Sequence, residues 1–416
     1  MIQRSAYGPV VFLASGTRGD VQPCVAAARA LQDRGIPVRI ATHLEHRALV
    51  ENAGIPFAAL AENPSAWLAA HPTLIDAEIS CAAVRATVRY LHHVRHRMAR
   101  LLDSAANACV DARAVVGGLA SLWAVDVAES CGIPALWLLL QPLTATRDFA
   151  ISVWPWRGAR LLSYALADAA LWLPWRGVVN TWRRSRGLQP RGIFDGALAR
   201  VHARTDAVMN AFPACLVPAP SDWPAALHPL GACLAPRATQ LDRSVQRWID
   251  GGRDVIYIGA GAGSEAHMLR ALPWLHESLL RHGLRAVVNL PAVPQSFRDR
   301  MLVVRDVPHG TFFLQMRCVV HHGGAGTTAE AAHAGTPAVV LPAFADQKFW
   351  AERAHAANAA AAPASRITGR SGWLVRIDEA LHDTYLRRGA RACAERMRDE
   401  NGAQRVAERI IAVCAG

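Results

Sequence analysis

Val319-Val320-His321-His322-Gly323-Gly324-Ala325-Gly326-Thr327-Thr328 is the most informative stretch of this 416-residue chain. A short apolar run enters a glycine cluster and an alanine-rich segment leaves it from Ala329, so the pattern predicts strand, loop and helix in turn. At such a junction unpaired backbone amides and the positive end of a helix dipole converge on one point. That point favours an anion. Glycine lets the backbone approach phosphate oxygens closely, and His321 and the Thr327 hydroxyl add side-chain donors. We therefore read His321, Gly323, Gly324, Gly326 and Thr327 as a phosphate site.

Working outward, further buried strands are expected at residues 255–258, 286–290, 301–305, 318–320 and 338–341. A matching series fills the amino-terminal half. Residues 10–14 form an apolar run that ends at Gly16 and Gly19, an alanine-rich periodic segment follows over 25–34, and Gly35-Ile36-Pro37 stops it before a strand at 38–42. This is a β-α-β unit, whose parallel strands need the crossover helix. The same grammar recurs at 114–116, 135–140 and 207–210. The fold class is α/β, with two doubly wound Rossmann-like domains, which a chain of this length accommodates. The expected divisions are an amino-terminal Rossmann-like domain at 1–212, a proline-rich linker at 213–240, a carboxyl-terminal Rossmann-like domain at 241–383, and a helical segment at 384–416 that crosses back to the first domain.

Other loops carry chemistry too. Gly259-Ala260-Gly261-Ala262-Gly263-Ser264 resembles the dinucleotide fingerprint, but Ser264 stands where the third glycine belongs. No glycine loop continues into Gly-Lys-Ser/Thr, so oxidoreductase and ATPase chemistry become minor alternatives. We read Gly261, Gly263, Ser264 and Val307 as a nucleotide loop. Asp346 and Gln347, expected just past a strand's carboxyl end, have the donor and acceptor inventory to grip sugar hydroxyls, although such a pair also serves as a helix cap. In Gly16-Thr17-Arg18-Gly19-Asp20, Asp20 stands at a helix start expected to face an interdomain cleft. A cap and a general base are both open there. Five of the 13 tryptophans fall within residues 149–189. Phe149, Trp154, Trp156 and Trp172, with Thr17, are read as an acceptor pocket, against the alternative that these rings are core filler.

Composition narrows the classes. Apolar residues make up 52% and charged residues 19%, as in a folded protein. The net charge of +12 is almost all arginine, Lys348 being the single lysine, and no basic block interleaved with aromatics marks a nucleic-acid surface. Nine scattered cysteines without a Cys-x-x-Cys pair fit reduced thiols of a cytoplasmic protein. The apolar run at 10–14 is too short for a signal sequence, and Asp126 and Glu129 interrupt the most apolar segment, which leaves contact with the inner membrane face but no span. His92, His93 and His96 have helical spacing but lack further ligands, so no metal is expected.

Taken together, GTRGDVQP from residue 16, DVPHG from 306, HHGGAGTTAEA from 321 and PAFADQKFWAERA from 342 closely resemble the bacterial antibiotic and sterol branch of the GT1 glycosyltransferases, which have the GT-B fold. The resemblance implies an inverting, metal-independent enzyme that moves a hexose or deoxyhexose from a UDP- or dTDP-sugar to a hydroxyl of a hydrophobic aglycone, sterol or lipid. It makes Asp20 the catalytic base, the 321–327 loop the pyrophosphate site, and Asp346 with Gln347 the donor-sugar contacts. It implies no cofactor beyond the co-substrate, and a monomer or homodimer. A non-catalytic GT-B helper of a partner glycosyltransferase is the alternative, and retention of Asp20, His321 and Gln347 together argues against it. An epimerase or phosphorylase on this architecture fits less well, because Lys348 stands beside the sugar loop rather than in a cofactor pocket.

Overall fold

A computed structural model describes residues 8–62, 97–152, 160–196, 198–200, 205–236, 240–252, 254–261, 264–290, 292–305, 307–343, 346–364 and 369–415. The expected calls on His92, His93, His96, Trp154, Trp156 and Gly263 lie outside these residues. The chain divides into two compact units. The first contains Met1–Phe212, Pro218–Cys233 and Asn401–Gly416, and the second contains Pro213–Val217 and Leu234–Glu400.

The first unit is built on a six-stranded parallel sheet of β1 (Val10–Ala14), β2 (Val38–Thr42), β3 (Phe57–Ala59), β4 (Ala114–Gly117), β5 (Ala135–Leu139) and β6 (Val208–Asn210), in the order β3-β2-β1-β4-β5-β6. Both faces are covered, and this explains why β1 reads as a continuous apolar run. Val10, Phe12 and Ala14 pack against α1 (Arg18–Gln32), while Val11 and Leu13 pack on the opposite face with Leu101, Leu102 and Trp182. Alanines 26, 27, 28 and 30 of α1 are buried, so its axis lies close to the sheet.

α2 (Ala124–Cys131) and the long α3 (Arg160–Ser185) cover that opposite face. They are joined by an ion cluster. Asp126, 1% exposed, accepts from Arg183 at 2.7 Å and from Arg191 at 2.7 Å, with Arg200 at 3.5 Å, and Glu129 takes a second pair of bonds from Arg183. Arg183 holds the Glu129 carboxyl below its usual range, and burial pushes the Arg200 guanidinium down to about 10. Removing one partner strands buried charge, so Asp126→Ala is expected to cost about 3–5 kcal/mol in chemical unfolding, and Glu129→Ala, at the exposed edge, much less.

The second unit holds a five-stranded parallel sheet of β7 (Val255–Gly259), β8 (Arg285–Asn289), β9 (Met301–Val303), β10 (Val319–His321) and β11 (Ala338–Val340), in the order β11-β10-β7-β8-β9. Its longer helices among the described residues are α4 (Arg243–Asp250), α5 (Glu265–His282), α6 (Ala325–Ala334), α7 (Gln347–Ala356), α8 (Arg370–His382) and α9 (Thr384–Met397). Each sheet reverses its strand order once, between β1 and β4 and between β7 and β10. In open α/β sheets ligands bind outside the carboxyl ends of the strands at that reversal.

The proline-rich stretch is more than a tether. Residues 218–233 fold onto the first unit, where Leu230 donates to Asn210 O, Trp223 Nε1 reaches Ala145 O, and Asp222 accepts from Thr146 Oγ1 at 2.7 Å and Arg147 N at 2.9 Å. Of residues 384–416, α9 stays in the second unit and packs on α6, while α10 (Gly402–Ala415) returns to α1. Gly402 permits this return, since a Cβ there would stand 2.4 Å from Gly231 O.

Candidate functional site

The loops after β1 and β4 meet at the reversal point of the first sheet. Thr17 caps α1, and Asp20 completes a capping box: its Oδ2 accepts from Thr17 N at 2.8 Å and from Thr17 Oγ1 at 3.1 Å. The cap at this helix is therefore Thr17 rather than Asp20 itself. Both contacts fall on Oδ2. The carboxylate is half-buried, and burial pushes it above its ordinary range, opposed first by the two Thr17 hydrogen bonds and then by nearby His46. Gly16 has φ +119° and a Cβ there would lie 2.4 Å from Asp20 Oδ2, so only glycine admits the carboxylate at this place.

Around it stand residues that sequence reading missed. Ser121, after β4, accepts from Ser15 N at 3.1 Å, and Ser15 Oγ lies 3.0 Å from His43 Nε2. His46 Nε2 reaches Gly16 O at 3.2 Å. His43 keeps a buried Nδ1 with no hydrogen-bond partner among the described residues. These contacts join turns far apart in sequence, and only the strand order β2-β1-β4 reveals them.

In the second unit, the loops after β7 and β10 meet in the same way. His321 is 1% exposed and its Nδ1 accepts from Gly323 N at 3.1 Å, so the proton resides on Nε2, which has no partner among the described residues. Burial, aided by His322 and His309, pushes His321 down to about 3. His321 is thus a neutral, fixed N–H donor at neutral pH. Gly324 is the N-cap of α6 and supplies no side-chain cap, Gly326 is exposed with open space at its Cβ position, and Thr327 is half-buried. The first amides of α6 accordingly lack internal partners.

His322 was overlooked and turns out to be the link between the glycine loops. Its Nδ1 accepts from Gly261 N at 2.9 Å, and a Cβ on Gly261 or Gly324 would stand 2.3 or 2.5 Å from its Nε2. Burial pushes it down to about 4. Gln347 also differs from expectation. It is 4% exposed, its Oε1 accepts from Ala343 N at 2.8 Å, and its Nε2 donates to Ser264 Oγ at 3.2 Å, so it ties Ala343 to the β7 loop. Asp346, half-buried, accepts from Trp350 Nε1 at 2.9 Å. The Val307 side chain is buried with Tyr257 and Phe312, leaving only its main chain to face a ligand.

Of the residues read as an acceptor pocket, Thr17, Phe149 and Trp172 lie among the described residues. Trp172 is 4% exposed within the core, donates to Gly192 O at 2.9 Å and lies under the Arg200 guanidinium. Phe149 is buried edge-on against Trp223, and Thr17 is engaged in the capping box.

Because His321 and His322 titrate below their unfolded value of 6.5, the unfolded chain binds protons first as pH falls. Their contribution to stability is complete above pH 6.5 and is lost progressively below it. Each should add about 1.4 kcal/mol per pH unit to the acid slope of unfolding free energy. Denaturant titrations between pH 6.5 and 4 should show a shallower slope for His321→Gln/His322→Gln than for the native chain.

Residues 10–148 match the glycosyltransferase family 28 N-terminal domain, and residues 276–415 match the erythromycin biosynthesis protein CIII-like C-terminal domain. Two sterol 3-beta-glucosyltransferases of Arabidopsis thaliana are 30% identical over 85% of this chain and 29% identical over 94% of it. The chain spans 60% and 63% of the lengths of those two proteins. Among solved structures, the calicheamicin glycosyltransferase CalG4 superposes with a TM-score of 0.71 at 15% identity, covering 97% of this chain and 98% of that one. The fold is that of the GT-B glycosyltransferases, and the two halves of the chain are similar to a family 28 amino-terminal domain and to an erythromycin CIII-like carboxyl-terminal domain.

Proposed function

We propose that this protein transfers a hexose or deoxyhexose from a UDP- or dTDP-sugar to a hydroxyl of a hydrophobic acceptor, of which a sterol is the first to test, inverting the anomeric centre. The observation that carries the donor half is the orphaned Nε2–H of buried, neutral His321 beside the uncapped amino terminus of α6. Fixed donors there are suited to the charge that develops on a departing diphosphate, without reorganising at the moment of bond breaking. Gly261, Ser264 and the Val307 main chain are proposed to line the nucleotide, Asp346 to meet the sugar, and Gln347 to hold the turn that presents it. Asp20 is proposed to take the proton from the acceptor hydroxyl as its oxygen attacks the anomeric carbon, with the nucleoside diphosphate leaving from the opposite face. The similarity to sterol glucosyltransferases supports the acceptor class.

The test is to incubate the full chain with UDP-glucose or dTDP-glucose and cholesterol, and to follow products by mass spectrometry and anomeric NMR. A sterol glucoside of inverted configuration is expected, at a rate unchanged by EDTA because the proposed reaction uses no divalent ion. A chain that binds neither nucleotide sugar, yet raises the rate of another glycosyltransferase, would be a helper and would overturn the reading.

A further inference from the structure

α5 and α8 pack together on one face of the second sheet, where Leu272, Leu275 and Leu279 share a core with Trp373, Ile377 and Leu381. Trp274 meets Trp373 at a ring-centroid distance of 6.4 Å, and His282 meets His382 at 5.5 Å. The two helices therefore run in the same direction and end together. Each histidine is the last residue of its helix, and Asp378 stands one turn before His382 on the same side of α8.

Three side chains of metal-binding type thus converge. His282 Nε2 lies 3.9 Å from Asp378 Oδ1, and His382 Nε2 lies 3.8 Å from the same oxygen. Those gaps are too long for hydrogen bonds, so the three groups face one another without bonding. Their ligand atoms all lie within 4.8 Å of one another. At zinc–ligand distances of about 2.0–2.2 Å, tetrahedral donors stand roughly 3.4 Å apart, so small side-chain rotations close the set on one ion. Two imidazoles with one carboxylate suit zinc, whereas magnesium and calcium take oxygen ligands.

The surroundings favour a cation too. Neighbouring acids are taken, Glu277 by Arg281 and Arg370 and Glu379 by Arg376, but Asp378 has no arginine partner among the described residues and faces only the two imidazoles. The carbonyl ends of both helices carry partial negative charge, and at the end of α8 it already draws Arg317 and Arg387 onto Leu381 O. The 18 residues of α5 put this end roughly 25 Å from Ser264 and the glycine loops.

We propose that His282, Asp378 and His382 bind one zinc ion, which clasps the end of α5 to the end of α8, with water in the fourth position. The clasp is structural. It lies apart from the residues assigned to sugar transfer and does not depend on that reading.

The experiment strips the full chain with EDTA, dialyses the chelator away, and titrates Zn2+ by calorimetry and Co2+ by visible absorption. One equivalent of Zn2+ should bind at micromolar concentration and raise the melting temperature, and Co2+ should give the d–d bands of a four-coordinate site. His282→Ala and Asp378→Asn should each weaken Zn2+ binding more than about tenfold, the loss that even an outer partner of a metal ligand causes. His282→Ala/His382→Ala should abolish the melting shift, while its metal-free melt and its hydrolysis of nucleotide sugar match those of the native chain. Binding is read without any sugar substrate, so a failure of the transferase reading leaves this result intact. Absence of Zn2+ binding by the native chain would overturn the proposal. So would undiminished binding by the double variant, which would place the ion on other histidines.

Discussion

Asp20→Asn is expected to lower sugar transfer roughly a hundred- to ten-thousand-fold while nucleotide-sugar binding stays near native. An amide oxygen still accepts from Thr17 N, so the capping box and the start of α1 survive the change. What is lost is the ability to take a proton. Asp20→Ala removes both, and should add about 1 kcal/mol of destabilisation that Asp20→Asn avoids. The pH dependence gives an independent reading. Burial raises this carboxyl, and a base must be ionised to act, so native kcat/KM should fall on the acid side at a pH above that of an ordinary aspartate. The asparagine variant should lack that limb. An unimpaired Asp20→Asn would remove Asp20 from its proposed role.

Gly323→Ala should be strongly damaging in the second unit. The residue has φ +92°, and its Cβ would lie 2.8 Å from Val340 Cγ1 and 2.9 Å from Gln347 O. The second contact is backbone at the start of α7 and has little freedom to yield. Left-handed strain and overpacking together should cost about 3 kcal/mol, and the displaced loop should lose nucleotide affinity as well. Gly326→Ala is the control, since open space surrounds its Cβ position. Denaturant unfolding and a UDP titration of both variants would decide the matter. If Gly323→Ala were as well tolerated as Gly326→Ala, the packing argument for this loop would fail.

The strands were legible because each is a local apolar run punctuated by glycine or proline. Only the short β3, Phe57–Ala59, went unread, since three half-exposed residues carry too little pattern. Loop geometry was legible where turn chemistry is local, as in Gly16–Asp20 and His321–Thr327. His43, Ser121 and His322 were not, because each acts through a partner on another strand's loop. The tryptophans are ambiguous for a related reason. A large ring is equally suited to filling a core and to lining a pocket, and only its neighbours distinguish the two.

Periodicity and turn chemistry alone determined two β-α-β series, a phosphate-type glycine loop and a carboxylate at the head of α1. Those signals arise between residues a few positions apart. Tertiary structure decided that the loops fall at the strand-order reversals, that Gln347 is spent on Ser264 and Ala343, and that His282 meets Asp378 and His382. Such features depend on which strands become neighbours and on which helices end together, and pairings between distant residues leave no periodic mark in the chain.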